Sequence, residues 1–580
     1  EAAVEAAWKL ARERRIVLAT HMHAGDGNVH VNIPVFSNDL RMMKRAEEAV
    51  DDVMAEVARL GGVCSGEHGI GVTKLKYLEP ERIAALDAYR KVVDPAGTMN
   101  PKKLSDLGAS LSVFTPSFNL LELEARILQH AQLGELAERV ATCVRCGKCK
   151  PDCCVFYPQK GLHFHPRNKN LAVGALVEAL LYDAQRERSA RFSLLPWLTE
   201  VADHCTLCHK CAKPCPVDID TADVSILERQ ILAARGAKAT PPPTLAALTY
   251  LSTTSPLGNR ILRGAIVSAG GTAQRLAHAA VSPLLPAFPP VTGPLGVLRS
   301  PVPKADAGTL RDLLPECGPD EAIVLEPGRD AAANVFYFPG CGSERLYSTV
   351  AMAATHVLLE SGCRVVLPPP FLCCGFPHRA NAKEEAHGKI VLRDVIVFSQ
   401  IRAMLRHLSF DAVVVTCGTC MEALEKMEAG KVFGCDVVDA VAFAGSRGLA
   451  LPKDGTALYH TPCHDSFDGA GLAVLGAALG VAATEIPHCC SEAGTLALSR
   501  PDIAEAMRHR KREALSEAKG TATGRPVVLT NCPSCLTGLK RNEDLGVEPR
   551  HVAVEAARRL SADWRTLFAE RARSAAVVRF

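Results

Sequence analysis

The sequence predicts a multidomain protein, in which an α+β segment is followed by a mostly helical segment and then by two repeated α/β modules. Three observations support this fold class. Strand-like and helical patterns alternate over roughly the first hundred residues. Eight cysteines then form two copies of one spacing in a mostly helical stretch. Finally, a second set of cysteines recurs at offsets of 122, 116 and 115 residues, which indicates an internal repeat.

Residues 1–105 predict the α+β segment. The pattern indicates a helix over residues 1–15, a strand pair within residues 16–33, a long helix over residues 39–60, a glycine-rich segment and a helix near residues 80–93. Residue 1 is Glu rather than an initiator Met, and no signal-peptide pattern follows. We therefore expect this chain to be the back part of a longer polypeptide.

Histidines and one glutamate cluster in this segment around turn residues. Glycines after His23 interrupt any helix, so the strands on either side fold His23 and His30 toward each other. His30 and Asn32 share one face of an extended strand. Two histidines and a carboxylate, here Glu67, with one open position form the ligand set of a catalytic zinc-type site. That assignment leaves His68 free to act as a base.

The eight cysteines of the helical segment, residues 110–235, indicate iron-sulfur chemistry. Each copy has the spacing C-x2-C-x2-C-x3-C, and each position of the second copy lies 62 residues after the first. This run is typical of ferredoxins with two 4Fe-4S clusters, in which the fourth cysteine ligates the other run's cluster. One cluster is then assigned Cys143, Cys146, Cys149 and Cys215, and the other Cys205, Cys208, Cys211 and Cys153.

Two features leave alternatives to this assignment. CxxC pairs also suit tetrahedral zinc, as in a pair of zinc ribbons. The third CxxC step and Pro216 after the last cysteine favour iron-sulfur clusters instead. In the first run Cys154 follows Cys153 directly and is a competing ligand for the same cluster.

A connector rich in Pro, Ser and Thr, residues 236–330, separates the helical segment from the repeat. The repeat predicts two α/β modules, residues 331–450 and 451–580. An apolar strand precedes the CxxC pair of each copy, and parallel strands would gather the cysteines at one sheet edge. The cysteines are Cys341, Cys373, Cys374, Cys417 and Cys420 in the first copy and Cys463, Cys489, Cys490, Cys532 and Cys535 in the second.

Composition limits the remaining classes of function. The net charge is +3 with 22% charged residues, and no basic block stands out, so nothing indicates nucleic acid binding. The 23 cysteines indicate a reducing, cytosolic setting. No apolar run reaches the roughly 18 residues needed to cross a bilayer, and peripheral contact with the inner face of the cell membrane stays compatible with the sequence.

The N-terminal motifs resemble the C-terminal end of FAD-linked D-2-hydroxyacid dehydrogenases, which have the vanillyl-alcohol-oxidase fold. The motifs are H-x-GDGN-x-H-x-N from His23, GEHG-x-G from Gly66 and DP-x-G-x-MNP from Asp94. The resemblance implies a divalent metal, zinc by its donor set, on His23, His30 and Glu67. It also implies that His68 takes the hydroxyl proton.

The same resemblance implies the remaining contacts of this segment. Asn32 matches a substrate-contacting position, and Asn100 lies near the flavin, with Gly69 and Gly71 as further cofactor-binding positions. The FAD-binding domain of that family lies upstream of the matching segment. We therefore expect this chain to bind FAD poorly by itself.

The rest of the chain resembles electron-transfer partners of glycolate oxidase, anaerobic glycerol-3-phosphate dehydrogenase and heterodisulfide reductase. These pair a helical two-cluster ferredoxin with two cysteine-rich CCG modules. Cys373-Cys374-Gly375 fits the CCG signature, whereas Ser491 follows Cys490 in the second module. The resemblance implies a further iron-sulfur centre in such modules; the alternative is a second module that keeps the fold without metal.

Together these features predict a dehydrogenase that oxidises a D-2-hydroxyacid to the 2-oxoacid. Electrons would pass from FAD through two 4Fe-4S clusters to the CCG modules, and then to a quinone, a carrier protein or a disulfide. The alternatives are an electron-transfer subunit and a heterodisulfide-type reductase, both without dehydrogenase activity of their own.

Overall fold

The computed structural model describes residues 16–34, 40–70, 74–99, 104, 131–156, 165–186, 195–284, 294–520 and 524–580. The chain divides into two compact units. The first comprises Glu1–Val144 with Val173–Arg191, and the second comprises Arg145–Ala172 with Phe192–Phe580. The helix expected over residues 1–15 lies outside the described residues.

A two-stranded hairpin begins the described part of the first unit. Strands β1 (Ala19–His23) and β2 (Asn28–Asn32) pair antiparallel, with His21 opposite His30. The turn between them uses Gly27 at a φ of 74°, which glycine adopts without a Cβ clash. The predicted strand pair is confirmed.

Helices follow the hairpin at the positions that the hydrophobic pattern predicts. The long helix is Leu40–Arg59, and the second helix is Pro80–Val93, with a 3-10 turn at Leu75–Tyr77 before it. Pro80 occupies the first helical turn, where its missing N–H costs no hydrogen bond. The helix Ala131–Ala141 comes next among the described residues.

The segment that carries the two cysteine runs and the connector is helical. Asp220 starts one of these helices by accepting a hydrogen bond from the Ala222 N–H, at 2.8 Å. The helices are Pro166–Arg186, Leu195–Asp203, Thr221–Ala234, Pro242–Ser252, Pro256–Leu262 and Gly271–Val281, with a π-helical stretch at Arg263–Gly270 and 3-10 turns at Ser282–Leu284, Pro294–Leu298 and Leu310–Leu313.

A six-stranded sheet forms the first α/β module, in the order β12-β3-β5-β4-β6-β7. Strands β5, β4, β6 and β7 run parallel, whereas β3 and β12 add antiparallel at one edge. The strands are β3 (Glu321–Leu325), β4 (Ala333–Phe338), β5 (Cys363–Leu367), β6 (Ala412–Val415), β7 (Val437–Asp439) and β12 (Ala576–Arg579). Thus β3 and β12 lie outside residues 331–450.

A four-stranded parallel sheet forms the second module, in the order β11-β10-β8-β9. The strands are β8 (Gly455–Tyr459), β9 (Val481–Glu485), β10 (Val527–Thr530) and β11 (Glu548–His551). Read from the other edge, the order β9-β8-β10-β11 matches β5-β4-β6-β7 of the first module. The internal repeat inferred from cysteine spacing is therefore also a repeat of sheet topology.

Helices cover both sheets, as expected for parallel strands. In the first module they are Ser348–Glu360, Phe376–Ala380, Glu384–Met404, Gly418–Lys426, Ala429–Phe433 and Ala440–Ser446, with a π-helical turn at Gly342–Leu346. In the second they are Gly471–Ala478, Leu496–Ser499, Pro501–Lys519, Pro533–Lys540, Val552–Leu560 and Trp564–Arg573, with 3-10 turns at Ala493–Thr495 and Glu543–Leu545.

One apolar core runs through both modules, because side chains of both sheets belong to the same buried cluster. Val335 and Val365 of the first sheet and Tyr459 and Leu529 of the second are fully or almost fully buried in it. Of the helices in the described ranges, none has the length and apolar character to cross a membrane.

Candidate metal and iron-sulfur sites

The hairpin places its polar side chains on one face. His21 stands opposite His30, and their imidazole rings stack with centroids 4.6 Å apart. The Asn32 amide nitrogen lies 3.1 Å from His21 Nδ1. His23 lies two residues from His21 and so projects from the same face. The strand pairing therefore brings the predicted histidines and Asn32 together.

Glu67 reaches this face from the glycine-rich loop. Its Oε1 lies 2.7 Å from His30 Nε2 and 3.8 Å from His23 Nε2. A Cβ on Gly66 would come within 2.6 Å of Asn28 Oδ1, so a larger residue there would require the loop or the Asn28 side chain to move. His68 Nε2 lies 3.4 Å from the same Glu67 oxygen.

One ligand atom from each of His23, His30 and Glu67 lies within 4.8 Å of the others. Two imidazole nitrogens and one carboxylate oxygen are the donors of catalytic zinc sites that keep one position open. The donor set therefore fits a divalent metal, and the neighbouring His68 remains outside it. The structure thus brings together the three residues that the sequence predicted as a ligand set, although they lie far apart in the chain.

Of the remaining predicted positions of this segment, Gly69 is the one that the structure describes. Gly69 has a φ of 73°, and its carbonyl accepts a hydrogen bond from Ser65 Oγ at 2.9 Å. Gly71 and Asn100 lie outside the described residues. Just before Asn100, the Met99 and Thr98 N–H groups donate to the Asp94 carboxylate, which lowers the pKa of Asp94.

The two ferredoxin-type cysteine runs share one backbone fold. In the first run the N–H of Lys150 bonds to the carbonyl of Gly147, and that of Cys153 to the carbonyl of Lys150. The second run repeats both bonds 62 residues later, from Ala212 to His209 and from Cys215 to Ala212. The sequence repeat is therefore also a repeat of hydrogen bonds.

Both runs also hold the same positions in the left-handed region. Arg145 and Leu207 are equivalent and have φ values of 58° and 54°. Gly147 and His209 are equivalent and have φ values of 75° and 55°. Non-glycine residues in this region are strained, and such strain is concentrated at functional sites. In the second run the turn directs the Leu207 N–H to Cys205 Sγ, at 3.4 Å.

The second-run cysteines gather around Cys153, the fourth cysteine of the first run. The pKa of the Cys153 thiol is raised, mainly by burial, with Cys205 and Cys208 close enough to contribute. Burial likewise raises the pKa of Cys211 to about 12, with added repulsion from Cys205 and Cys208. This grouping is the one that crossed ligation requires for the cluster of the second run.

The other predicted set divides between the two units. Cys143 lies in the first unit, and Cys146, Cys149 and Cys215 lie in the second. Cys146 is exposed, whereas Cys215 is half-buried and accepts a hydrogen bond from the Ile219 N–H at 3.3 Å.

The repeated modules place their cysteines after the carboxyl ends of parallel strands. Cys341 follows β4 and Cys417 follows β6, whereas Cys463 follows β8 and Cys532 follows β10. Because these ends lie at one edge of each sheet, the thiols converge, as the sequence predicted. In the first module the Cys373 thiol is hydrogen-bonded to Cys341 and to Cys374.

The two modules meet at their cysteine edges. Cys417 Sγ lies 4.0 Å from Cys532 Sγ, the equivalent atom of the other module. His551 Nε2 lies 3.1 Å from the carbonyl oxygen of Thr416. A Cβ on Gly418 would come within 2.0 Å of the His464 carbonyl oxygen, so a side chain there would force the modules apart.

The second module keeps the backbone of the CCG motif despite its serine. Gly375 has a φ of 79°, and Ser491 adopts the same left-handed conformation, with a φ of 70°. The Ser491 hydroxyl donates to the Cys490 carbonyl at 2.5 Å, and its N–H lies 3.5 Å from Cys489 Sγ. The departure from glycine therefore leaves the left-handed backbone conformation of the motif unchanged.

Each module buries one cation near its thiols, which sequence reasoning missed. In the first module Arg345 is fully buried, donates to the Tyr250 carbonyl at 2.6 Å, and interacts with Cys341 and Cys373. In the second, Lys511 is buried, and burial lowers its pKa to about 8 despite nearby Cys490. Buried cations are costly unless they face negative charge, so they fit modules whose thiols are ionised on a metal.

Lys511 also fixes a buried histidine of the second module. Its ammonium lies 2.9 Å from His460 Nδ1, which must accept because an ammonium only donates. A neutral His460 therefore carries its hydrogen on Nε2. One imidazole nitrogen of His460 lies within 4.8 Å of the Cys490 and Cys535 sulfurs.

A further acidic group near the ferredoxin, His209 with Asp220 and Asp223, has a structural explanation. Asp220 caps a helix through the Ala222 N–H, and Asp223 pairs with Arg379 at 3.1 Å. These carboxylates are therefore already engaged, and we do not assign them to a metal.

Three known families match separate stretches of the chain. Residues 1–104 match the family described as FAD linked oxidases, C-terminal domain, and residues 139–219 match the 4Fe-4S dicluster domain. Residues 335–425 and 457–540 both match the cysteine-rich CCG domain. The chain therefore combines part of an FAD-linked oxidase with a dicluster ferredoxin segment and two CCG segments, which confirms the resemblances inferred from its motifs.

Individual relatives match parts of the chain. A glycolate oxidase subunit GlcD of Bacillus subtilis is 37% identical over 108 residues, which are 17% of this chain and 22% of that protein. A D-lactate dehydrogenase of Archaeoglobus fulgidus is 39% identical over 99 residues, again 17% and 22%.

A third relative matches a longer stretch. A fumarate reductase (CoM/CoB) subunit of Methanothermobacter marburgensis is 25% identical over 231 residues, which are 38% of this chain and 44% of that protein. The chain thus spans less than half the length of each of these three relatives.

Proposed function

We propose that this chain is part of an iron-sulfur flavoprotein dehydrogenase that oxidises a D-2-hydroxyacid to the 2-oxoacid. The observation that carries the proposal is the convergence of His23, His30 and Glu67 beside His68. These residues lie in the segment that matches FAD-linked oxidases, and the same chain continues into a dicluster ferredoxin segment.

The hairpin residues would bind and orient the substrate. A divalent metal, zinc by its donor set, would be held by His23, His30 and Glu67 and would supply Lewis acidity that lowers the pKa of the substrate hydroxyl. Asn32 lies on the same face as these ligands and would donate its amide hydrogen to a substrate oxygen. His21, 3.1 Å from the Asn32 amide, would fix its orientation.

His68 would act as the general base at this site. Its Nε2 lies 3.4 Å from Glu67 Oε1, so a proton taken from the hydroxyl would form an imidazolium next to a carboxylate. The exposed His68 ring can reach a hydroxyl held at the ligand set. Removal of this proton makes the substrate C–H bond a better hydride donor.

FAD would supply the two-electron acceptor for the hydride. Asn100, Gly69 and Gly71 would lie against it, by the resemblance to FAD-linked oxidases. The eight ferredoxin-type cysteines would hold two 4Fe-4S clusters, with Cys153 and Cys215 exchanged between the runs. The CCG thiols would hold a further iron-sulfur centre, which fits the buried cations Arg345 and Lys511 beside them.

The test is the rate of flavin reduction in the full-length protein with its flavin bound. His68→Ala should slow reduction by a D-2-hydroxyacid by at least 100-fold, the usual contribution of a general base. Zinc content should stay unchanged, because His68 is not a ligand. His509→Ala, which changes an exposed histidine paired with Glu513, is the matched control. Reduction by His68→Ala at the wild-type rate would rule out the assigned base.

The CCG geometry favours a second candidate function, electron transfer or disulfide reduction at the CCG cysteines without dehydrogenase activity. The close approach of Cys417 to Cys532 and the similarity to a fumarate reductase (CoM/CoB) subunit support it. EPR of the protein after addition of D-lactate, D-2-hydroxyglutarate or glycolate separates the two functions. Only the dehydrogenase should show reduced iron-sulfur signals with one of these substrates.

The downstream acceptor would be a quinone, a carrier protein or a disulfide. A quinone acceptor would bring the protein to the inner face of the cell membrane. Rates of reoxidation with each acceptor class, measured with the reduced protein, distinguish them.

A further inference from the structure

Cys154 lies among thiols of the second CCG module. Its Sγ is 3.8 Å from Cys463 Sγ, and Cys463 Sγ is 3.4 Å from Cys489 Sγ. The three sulfurs all lie within 4.8 Å of one another. Cys208 Sγ is also 3.8 Å from Cys154 Sγ.

These thiols come from separate segments of the chain. Cys154 follows Cys153 in the first ferredoxin-type run, whereas Cys463 and Cys489 follow the ends of β8 and β9. The doubled Cys153-Cys154 pair is what distinguishes the first run from the second, in which Pro216 follows Cys215. The extra thiol therefore lies between Cys208 of the ferredoxin set and the thiols of the second module, and it forms a mutually close group of three with Cys463 and Cys489.

The spacing of the sulfurs fits ligands of a thiolate-bound metal. Sulfurs on one tetrahedral ion lie about 3.8 Å apart, because metal–sulfur bonds of about 2.3 Å meet at the tetrahedral angle. The site also holds positive charge to balance thiolates. Lys210 interacts electrostatically with Cys154, Cys463 and Cys489.

We propose that Cys154 supplies a sulfur ligand to an iron-sulfur centre of the second CCG module, together with Cys463 and Cys489. This rests on the proposed function, in which the CCG thiols hold such a centre. Cys153 then ligates a ferredoxin cluster while the next residue ligates the module centre. The two metal sites are joined through a single peptide unit, and the ferredoxin segment is fixed to the second module by coordination.

The test uses the full chain, reconstituted anaerobically with iron and sulfide. Cys374→Ser removes a thiol of the first module, so that the remaining module signal belongs to the second. In this background Cys154→Ser and Cys154→Ala are compared by EPR, Mössbauer spectroscopy and metal content. Cys435→Ser, at a half-buried thiol beside Asp436 and Asp411, is the matched control.

The expected result is a changed second-module spectrum in both Cys154 variants, with the two 4Fe-4S signals retained and the control unchanged. An unchanged module spectrum would show that Cys154 is not a ligand. Loss of a 4Fe-4S signal instead would assign Cys154 to the ferredoxin, and loss of one zinc would assign it to a zinc site; either overturns the proposal. If the wild-type chain bound only eight irons, the two 4Fe-4S clusters would account for all of them, and the proposed module centre would be overturned. This result comes from the wild-type chain alone, so it is distinguishable from a failure of the Cys154 assignment.

Discussion

At the scale of single residues, several side chains in this protein adopt unfavourable states close to the candidate ligands. Ser491, directly after Cys490, lies in the left-handed region. Glu228 is a buried carboxyl without a hydrogen-bond partner among the described residues, and the next residue, Arg229, donates to the Cys205 carbonyl. Ser491 and Glu228 each lead to a prediction about stability.

Ser491→Gly should stabilise the second module. Glycine adopts a φ of 70° without a Cβ clash, so about 1 kcal/mol of strain should be relieved. The lost hydroxyl contact with the Cys490 carbonyl and the greater freedom of glycine in the unfolded chain offset part of this gain. Chemical denaturation of the reconstituted protein measures the change.

The reciprocal variant provides the control for this prediction. Gly375→Ser should destabilise the first module, because a Cβ there would lie 2.7 Å from His387 Nδ1. If both variants moved the unfolding midpoint in the same direction, backbone strain would not explain the effect.

Glu228→Gln should remove a pH-dependent loss of stability. Burial raises the pKa of Glu228 to about 8, from 4.5 in the unfolded chain. Between these values the folded state binds more protons than the unfolded state, so the free energy of unfolding falls as pH rises from about 4.5 to 8. The full effect is on the order of 5 kcal/mol.

The measurement is unfolding of wild type and Glu228→Gln at several pH values, followed by the loss of cluster absorbance. The free energy of unfolding of Glu228→Gln, relative to that of wild type, should increase as pH rises from 5 to 8. Glu384→Gln, at an exposed position, serves as the control. A constant difference between Glu228→Gln and wild type across this range would contradict the shifted pKa.

At the scale of secondary-structure elements, the hairpin and the glycine-rich loop form the N-terminal site by close approach. Gly66 is the point of contact, since its Cα faces Asn28. The carboxylate of Glu67 is placed by this contact. The site therefore depends on a residue that carries no functional group.

Gly66→Ala should weaken metal binding at His23, His30 and Glu67. The new methyl group would lie 2.6 Å from Asn28 Oδ1, so the loop or the asparagine must move. Disturbing the support of a metal ligand typically lowers affinity 10-fold to 100-fold, and we expect about 10-fold.

Competition with a zinc chelator, after reconstitution of the iron-sulfur clusters, measures this affinity. Gly25→Ala is the matched control, because no atom lies within 4 Å of the Cβ it would add. Equal zinc affinity in the Gly66 and Gly25 variants would show that the loop tolerates displacement.

Local patterns predicted these elements well. The strand pair, the helix Pro80–Val93 and the strands before Cys417 and Cys532 all follow from alternation, Pro at a helix start and short apolar runs. The convergence of His23, His30 and Glu67 was predicted from residue types and turn positions. The assignments of ligands to metals remain predictions.

The sequence did not predict the features of the candidate sites that depend on long-range packing. Lys511 lies in a helix with other basic residues, and its pattern does not show that this one side chain is buried among carbonyls. Arg345 is likewise buried by contacts with distant segments. The Cys153-Cys154 pair is visible in the sequence, but the sequence does not show that Cys154 also lies beside Cys463 of the second module.

At the scale of the whole molecule, the two modules balance charge in similar ways. Each places one buried cation beside its converged thiols, Arg345 in the first and Lys511 in the second. A nearby positive charge favours the reduced form of an iron-sulfur centre, because reduction adds negative charge. If the modules hold the proposed iron-sulfur centres, the cations would raise their reduction potentials.

Lys511→Met should lower the reduction potential of a second-module centre. The expected shift is on the order of 50 mV, since one nearby charge at intermediate dielectric contributes about one to two kcal/mol. Redox titration followed by EPR measures it. Lys511→Arg keeps the charge and should restore most of the potential, and Lys519→Met changes another lysine of the same helix as a control. An unshifted potential in Lys511→Met would mean that Lys511 stabilises the fold without tuning a centre.

The pairing of β12 with β3 has a consequence for how the protein is made. Strand β12 completes the sheet that contains β3. Because β12 follows the second module in the chain, it is synthesised only after that module. Until then β3 presents an open edge, and a growing chain with such an edge is exposed to aggregation. We therefore expect the first module to reach its final form only after synthesis of β12, so that insertion of the proposed metal centre would be a late step in the maturation of the chain.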